Sequence, residues 1–192
     1  MKTMCLTLGV AFAGGLLFSS CASSPESTRV EVSAGTATHN ARTPGNLDER
    51  LNTALNDYRR SIGKSALTRH RGLDQMALNH CRFMAANRGK FSMGSGNISH
   101  FGFEERALMA QRAYGMQSVA ENVAGGFMQG DLATGITREW VKSPGHAFNL
   151  RSDWDLTGVA VIVTDDGMVY ATQLFATQSG SATATMDRFR QY

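Results

Sequence analysis

Five histidines carry most of the chemistry this sequence can offer, and their surroundings separate them. His39 lies in a stretch of small polar residues. His70 and His80 fall on or beside a helical pattern, where a solvated or packed ring is the ordinary role. His100 and His146 differ, because each sits among small, loop-forming residues: Asn97-Ile98-Ser99-His100-Phe101-Gly102 and Ser143-Pro144-Gly145-His146. Ser143 before Pro144 reads as a cap followed by proline at the first helical position, which places His146 in the first turn of a short helix. There the helix dipole disfavours imidazolium and keeps the ring neutral, as a ligand or an acceptor, while opposing a bound cation. Spacing alone does not join the two rings, and a structural role for both is the ordinary reading of the residues.

Other catalytic signatures are missing. The chain has no Gly-x-Ser-x-Gly elbow, no phosphate-binding loop ahead of Gly63-Lys64-Ser65 and no His-Glu-x-x-His. Ser61-Ile62-Gly63-Lys64 matches the Ser-x-x-Lys of penicillin-binding enzymes, but it sits at a helix end where that nucleophile needs a helix start, and no Lys-Thr-Gly occurs. Cys81 falls on a buried helical stripe and reads as a small core residue rather than a nucleophile.

The elements that must position these residues follow from periodicity. Asn46-Leu47-Asp48-Glu49 has the form of a capping box, with Leu51, Leu55, Tyr58 and Ile62 then making one apolar stripe that ends at Gly63. A second helix is expected over Leu73 to Arg88, burying Leu73, Ala77, Cys81 and Met84 and stopping at Gly89. A third runs from Glu104 to Tyr114, and a fourth from Asp131 to Lys142 with Leu132, Ile136 and Trp140 facing the core. Leu156 to Val163 and Met168 to Phe175 flank Thr164-Asp165-Asp166-Gly167, a strong hairpin signal. Val159 to Val163 is apolar at every position, so both faces of that strand should be covered. Val119 to Phe127 supplies a possible third strand. Helices come first and strands late, which gives an α+β fold: a three-layer α-β-α sandwich with a small antiparallel sheet between helices.

With 192 residues, 42% hydrophobic and 18% charged, the chain has room for one domain with a real core. The net charge of +3 has no cluster that would attract nucleic acid. Lys2 and the apolar run from Met4 to Phe18 have the layout of a secretory signal over residues 1–20. Leu17-Phe18-Ser19-Ser20-Cys21 resembles the lipobox of bacterial lipoproteins, in which Cys21 carries the lipid. The expected place is the bacterial cell envelope, at the outer membrane since no Asp follows Cys21, or else outside the cell after plain secretion. Residues 21–45 then form a flexible tether, with a typical span of roughly 25–30 Å for about 24 residues. Residues 46–176 hold the domain, and residues 177–192 are a low-complexity tail. Cys81 is left without a partner once Cys5 departs and Cys21 is lipidated, so the domain must be stable without a disulfide.

In chain order, Asn56-Asp57-Tyr58-Arg59-Arg60, Ser99-His100-Phe101-Gly102-Phe103 with Arg106, Ala120-Glu121-Asn122-Val123-Ala124, Trp140-Val141-Lys142-Ser143-Pro144-Gly145-His146 with Asn149-Leu150, Gly158-Val159-Ala160, and Tyr170-Ala171-Thr172-Gln173-Leu174-Phe175 resemble the CAP superfamily. This is the group of cysteine-rich secretory, antigen 5 and pathogenesis-related proteins, here in its bacterial SCP-like branch. The resemblance implies an α-β-α sandwich with a central cleft, and a tetrad of two histidines and two glutamates that holds a divalent metal in some members. His100, Glu121 and His146 fall on three of those positions. The second glutamate is replaced by Ser143.

Two readings of that cleft follow. The three side chains form a His₂Glu set suited to one zinc or another divalent cation with an open fourth position, or Glu121 accepts hydrogen bonds in a buried polar network. Arg106 would pair with Glu105 or cap a neighbouring helix. Trp154 reads as a packed corner, and Phe101 and Phe103 flank the cleft, with at least one in the core. The expected function is a membrane-anchored, non-catalytic binding module for a lipid, small apolar molecule or protein partner. The alternative is a zinc-assisted hydrolase of peptide or peptidoglycan.

Overall fold

The computed structural model describes residues 41–88 and 99–178. Their elements, in chain order, are α1 (Leu47–Ser61), β1 (Thr68–Arg69), α2 (Arg71–Ala86), α3 (Phe103–Tyr114), β2 (Met116–Phe127), α4 (Leu132–Lys142), α5 (Pro144–Arg151), β3 (Leu156–Val163) and β4 (Met168–Gln178). The strands form one sheet in the order β1-β3-β4-β2. β3 and β4 make the expected hairpin, with Gly167 at φ +85 closing the turn, and β2 runs antiparallel to β4 along nearly its whole length.

The sheet is not purely antiparallel, as the sequence suggested. Thr68 and Arg69 pair in parallel with Leu156 and Thr157, so the sheet is mixed. A two-residue strand has no alternation to read. The signal at Leu156 to Val163, by contrast, was unambiguous: every residue of β3 up to Ile162 is buried. Leu73, Ala77, Cys81 and Met84 of α2 pack on one face of the sheet, with Val123, Ala160, Ile162 and Leu174. Leu51 and Leu55 of α1, Ile136 and Trp140 of α4, and Leu150 of α5 pack on the other, with Val159, Val161, Ala171 and Phe175. The architecture is therefore the α-β-α sandwich.

Local details depart from the caps that the sequence suggested. Asn46 makes no side-chain cap bond, and Glu49 pairs with Arg69 instead of closing a capping box. Helix α2 begins earlier than Leu73, because His70 Nδ1 accepts from the Leu73 N–H and serves as its cap. It ends at Ala86, and Gly89 lies outside the described residues, as do the leader, Cys21, most of the tether and the tail beyond Gln178. Arg42, inside the stretch expected to be tether, exchanges backbone hydrogen bonds with Val163 at 3.2 and 2.9 Å. Cys81 is fully buried, donates to the Ala160 carbonyl, and burial pushes its thiol up to about 12, so it is inert.

Gly158 explains how closely α2 lies on the sheet. A Cβ there would stand 2.1 Å from the Leu73 carbonyl carbon and 2.4 Å from the Asp74 nitrogen, both backbone atoms that cannot turn aside. At Gly72 the obstruction is the tip of the Tyr114 side chain, 2.3 Å away, which can swing out. Gly158→Ala is therefore expected to cost about 3 kcal/mol or more, and Gly72→Ala clearly less, as read from urea unfolding midpoints. Equal costs at the two sites would contradict the close approach of α2.

Candidate functional site

Three elements, α2, α3 and β2, and the loop at His100 bring polar and charged side chains to one point. β2 is an edge strand whose residues alternate between the layers, with Val119 and Val123 packed toward α2 and Ala120 and Ala124 toward the opposite cluster. Glu121 shares the face of Val119 and Val123, and its side chain is 1% exposed. An ionised carboxylate at that depth costs several kcal/mol unless it is paired and hydrogen-bonded.

Arg106, one turn into α3, supplies most of the pairing. Its Nε donates to Oε2 and its Nη2 to Oε1, both at 2.8 Å, in the planar fork that suits a carboxylate. Its Nη1 donates to the Phe101 carbonyl, also at 2.8 Å, and so ties the loop before α3 to the same group. His100 Nδ1 lies 2.9 Å from Oε1; a carboxylate only accepts, so this nitrogen carries the proton and Nε2 is left as the ring's lone-pair nitrogen. The His100 side chain is half exposed.

His80, in α2, completes the group. Its Nε2 lies 2.7 Å from the Ser99 carbonyl, which fixes the proton on that nitrogen, and 3.9 Å from Glu121 Oε1. Its Nδ1 is buried with no hydrogen-bond partner among the described residues. Burial lowers the His80 pKa from its ordinary value, helped by the nearby Arg106 charge and only partly opposed by Glu121, so the ring is neutral. For Glu121 burial acts to raise the pKa, but the hydrogen bonds from His100 and Arg106 and the surrounding charges outweigh it and hold the carboxyl below its ordinary value.

Of the three residues singled out by sequence, His100 and Glu121 meet directly. His146 belongs to α5, in the other layer, and its ring makes no hydrogen bond to either among the described residues. It lies beside Trp140, with ring centroids 6.3 Å apart, and its carbonyl accepts from Asn122 Nδ2. Burial lowers its pKa and the nearby His100 acts in the same direction, so the ring is neutral for reasons besides the helix dipole.

His80 and Arg106 were the members that sequence reasoning passed over. His80 stands three residues after Ala77 and four before Met84, on the buried stripe of α2, and that spacing was the available signal. Nothing local points from Arg106 to Glu121, since the partner lies on another element. Arg106 does not pair with Glu105 as expected. Trp154 donates to the Asn149 carbonyl and packs on Phe175, as a corner residue should. Phe103 packs against the core, and Phe101 is 60% exposed.

These residues do not fit a divalent cation at Glu121. Both carboxylate oxygens accept from Arg106, and one from His100 as well, and the guanidinium puts positive charge where an ion would have to sit. Among the described residues, no three of His, Cys, Asp and Glu are placed to hold a metal.

Beside the network, between α2 and α3, opens a cavity of about 380 Å³. Met76, Phe83, Phe101 and Met109 make its apolar walls, and His80 and Arg106 close the side toward Glu121. The rings of His80, Phe83 and Phe101 form a nearly parallel series, with centroids 6.0 and 5.4 Å apart.

Titration of this network sets a direction for stability. The folded state holds Glu121 below 4.5 and His80 and His146 below 6.5, so in each case the unfolded chain takes up the proton first as pH falls. Asp48, which burial pushes up, acts in the opposite sense. The melting temperature is expected to fall as pH drops below 6.5 and again below 4.5, with the second fall reduced in Glu121→Gln, itself destabilised by about 3 kcal/mol at neutral pH. A melting temperature unchanged between about pH 8 and 5 would contradict buried neutral histidines.

The family model for cysteine-rich secretory proteins, CAP, matches residues 53–175. No curated protein sequence matches the chain. Among solved structures, an outer surface protein of Borrelia burgdorferi is 18% identical, with a TM-score of 0.60 over 72% of this chain and 98% of that one. A cysteine-rich secretory protein from Staphylococcus aureus is 19% identical (TM-score 0.50, 69% of this chain, 39% of that one). An extracellular SCP-domain protein from Bacillus anthracis is 22% identical (TM-score 0.51, 69% and 40%). At these identities the likeness is one of fold, and the chain spans about two fifths of the last two. With the family model matching most of the domain, the chain belongs to the cysteine-rich secretory protein (CAP) family.

Proposed function

We propose that this CAP domain is a non-catalytic binding module that takes up a small, neutral, apolar molecule in the cavity between α2 and α3. The observation that carries this reading is the character of the cavity wall. Four large apolar side chains face the space; of the two charged side chains that border it, Arg106 is already paired with Glu121 and Glu105 is exposed to solvent. Three of the five N–H groups of Arg106 donate within the protein, two of them to Glu121, so an anionic headgroup would have to share the guanidinium with a carboxylate that already balances its charge. The volume lies at the small end of ligand pockets, which run from about 300 to 1,000 Å³. It suits one ring system or a short acyl chain.

No observation favours the hydrolase. Glu121 is the carboxylate at the centre of the site, and out of solvent, with both oxygens hydrogen-bonded and its pKa held below the ordinary value, it is poorly placed to act as a general base.

The location belongs to the same proposal. The apolar leader, the small residues before Cys21 and the composition of the tether support an exported lipoprotein of the bacterial envelope. The similar structures, an outer surface protein and two secreted or extracellular proteins by name, point the same way. Among the described residues no helix is long and apolar enough to cross a membrane, and the proposed attachment to the membrane is through lipid at Cys21.

Two outcomes are expected. N-phenyl-1-naphthylamine, a neutral apolar fluorophore, should bind one-to-one to the soluble chain beginning at Ala22. Met109→Glu, at an exposed position on the cavity wall, should weaken it at least about fivefold, the cost of placing a charge against an apolar ligand; undiminished binding would place the ligand elsewhere. Metabolic labelling with a palmitate analogue should mark the full chain and fail in Cys21→Ser, and label persisting in that variant would refute the anchor.

A further inference from the structure

We infer that Arg106 is the built-in cation of Glu121: its guanidinium occupies the place against that carboxylate that a divalent metal would need, and so the buried charge is balanced without one. The argument rests on donor geometry. Around the buried Glu121 carboxylate stand two imidazoles, with His100 Nδ1 2.9 Å and His80 Nε2 3.9 Å from Oε1. Two histidines and a carboxylate so close together are a usual zinc-binding set. What separates this cluster from a metal site is Arg106, whose forked donors reach both carboxylate oxygens at 2.8 Å.

A metal at Glu121 would have to displace the guanidinium, and the displaced charge would stay nearby, because Arg106 is only 15% exposed and its Nη1 is tied to the Phe101 carbonyl. Both imidazoles are also turned to other use. His100 presents its protonated nitrogen to the carboxylate, and His80 presents its own to Ser99. A metal ligand needs a lone pair at that position. The arrangement performs two tasks that a structural ion would perform: it neutralises the buried carboxylate, and it holds α3, β2 and the loop at Phe101 together. This inference does not depend on the cavity having a ligand.

Replacing Arg106 by methionine keeps the length and the apolar stem of the side chain while freeing both oxygens of Glu121. His100 can then turn its lone pair inward and His80 has room to approach, leaving a His₂Glu set.

The experiment is a titration of the untagged full chain, in mild detergent, with Zn²⁺ by calorimetry and with Co²⁺ by visible absorption. Wild type, Arg106→Met and the double variant Arg106→Met/His100→Ala are compared, with circular dichroism to establish that each is folded. Arg106→Met should bind one ion at least tenfold more tightly than wild type, with the Co²⁺ spectrum of a four-coordinate site, and the double variant should lose it. A folded Arg106→Met indistinguishable from wild type would overturn the inference, as would tighter binding that the double variant keeps. Should Arg106→Met fail to fold, Arg106→Gln takes its place, with the same outcomes for and against.

Discussion

A single buried negative charge organises this site. Glu121 lies in the middle of an edge strand with its side chain out of solvent, and each group around it answers to that fact. Arg106 offers the fork, His100 a second donor and His80 a neutral ring beyond them. These come from three separate parts of the chain, so the carboxylate does what an apolar contact cannot. It requires α2, α3 and the loop at His100 to meet β2 in one register, because a shift of one residue along β2 would turn the carboxylate to the opposite layer. Breaking one partner leaves another charge buried, and the network is for that reason worth more to uniqueness than to net stability.

The strand that carries Glu121 is itself held from outside. An edge strand leaves a row of backbone groups unpaired. Here Asn149 of α5 donates to the Glu121 carbonyl and Trp140 of α4 donates through Nε1 to the Val123 carbonyl. At the opposite side of the sheet, Asp74 accepts from the Val159 N–H and Asp48 from the Val161 N–H, beyond the point where the short β1 ends. Helix N-termini thus serve one edge and helix side chains the other. The effect on the site is direct: the backbone of Glu121 is fixed by the layer of α4 and α5, while its side chain is fixed by the layer of α2 and α3. His146 takes part from the first of these layers. Its carbonyl receives Asn122, the residue next to Glu121, so it acts on the cleft by position.

What could be read from the sequence was the set of faces. The stripes of α1, α2 and α4 and the unbroken apolar run of β3 report which side of an element is buried, and the structure places them so except at Ile62, which follows the end of α1 and is 41% exposed. The Asp166-Gly167 turn needed only local chemistry. Partners across the fold were a different matter. Glu121 entered through the resemblance, and nothing in its neighbourhood announces a guanidinium fifteen residues earlier in the chain. His80 was visible as a stripe member but not as a neighbour of the carboxylate, since periodicity says that a ring is inside without saying what it meets. β1 escaped because two residues have no period. Asn46, a sound cap by type, makes no cap bond, whereas His70, an unusual one, does.

Helix α3 shows why the polar network and the apolar cavity belong together. Along its length only Ala110 is fully buried, while α2 beneath it buries a continuous stripe. Hydrophobic burial therefore anchors α2 firmly and α3 weakly, and α3 is held at its two ends by specific contacts. At the start these are the bonds of Arg106 to Glu121 and Phe101, and at the end the ring of Tyr114 laid against Gly72 and His70. Between those clamps, Met109 and Met76 line open space. A helix clamped at both ends and thinly packed in its middle can keep a cavity beneath it without collapsing onto its neighbour, since closure would have to move both clamps. Replacing Arg106 by a purely apolar contact would gain burial but lose that spacing, because apolar side chains have no fixed length of contact and draw surfaces together until they touch. The salt bridge fixes α3 to β2, and the space beside it lies where α3 is tied to that strand by charge rather than drawn onto α2 by burial.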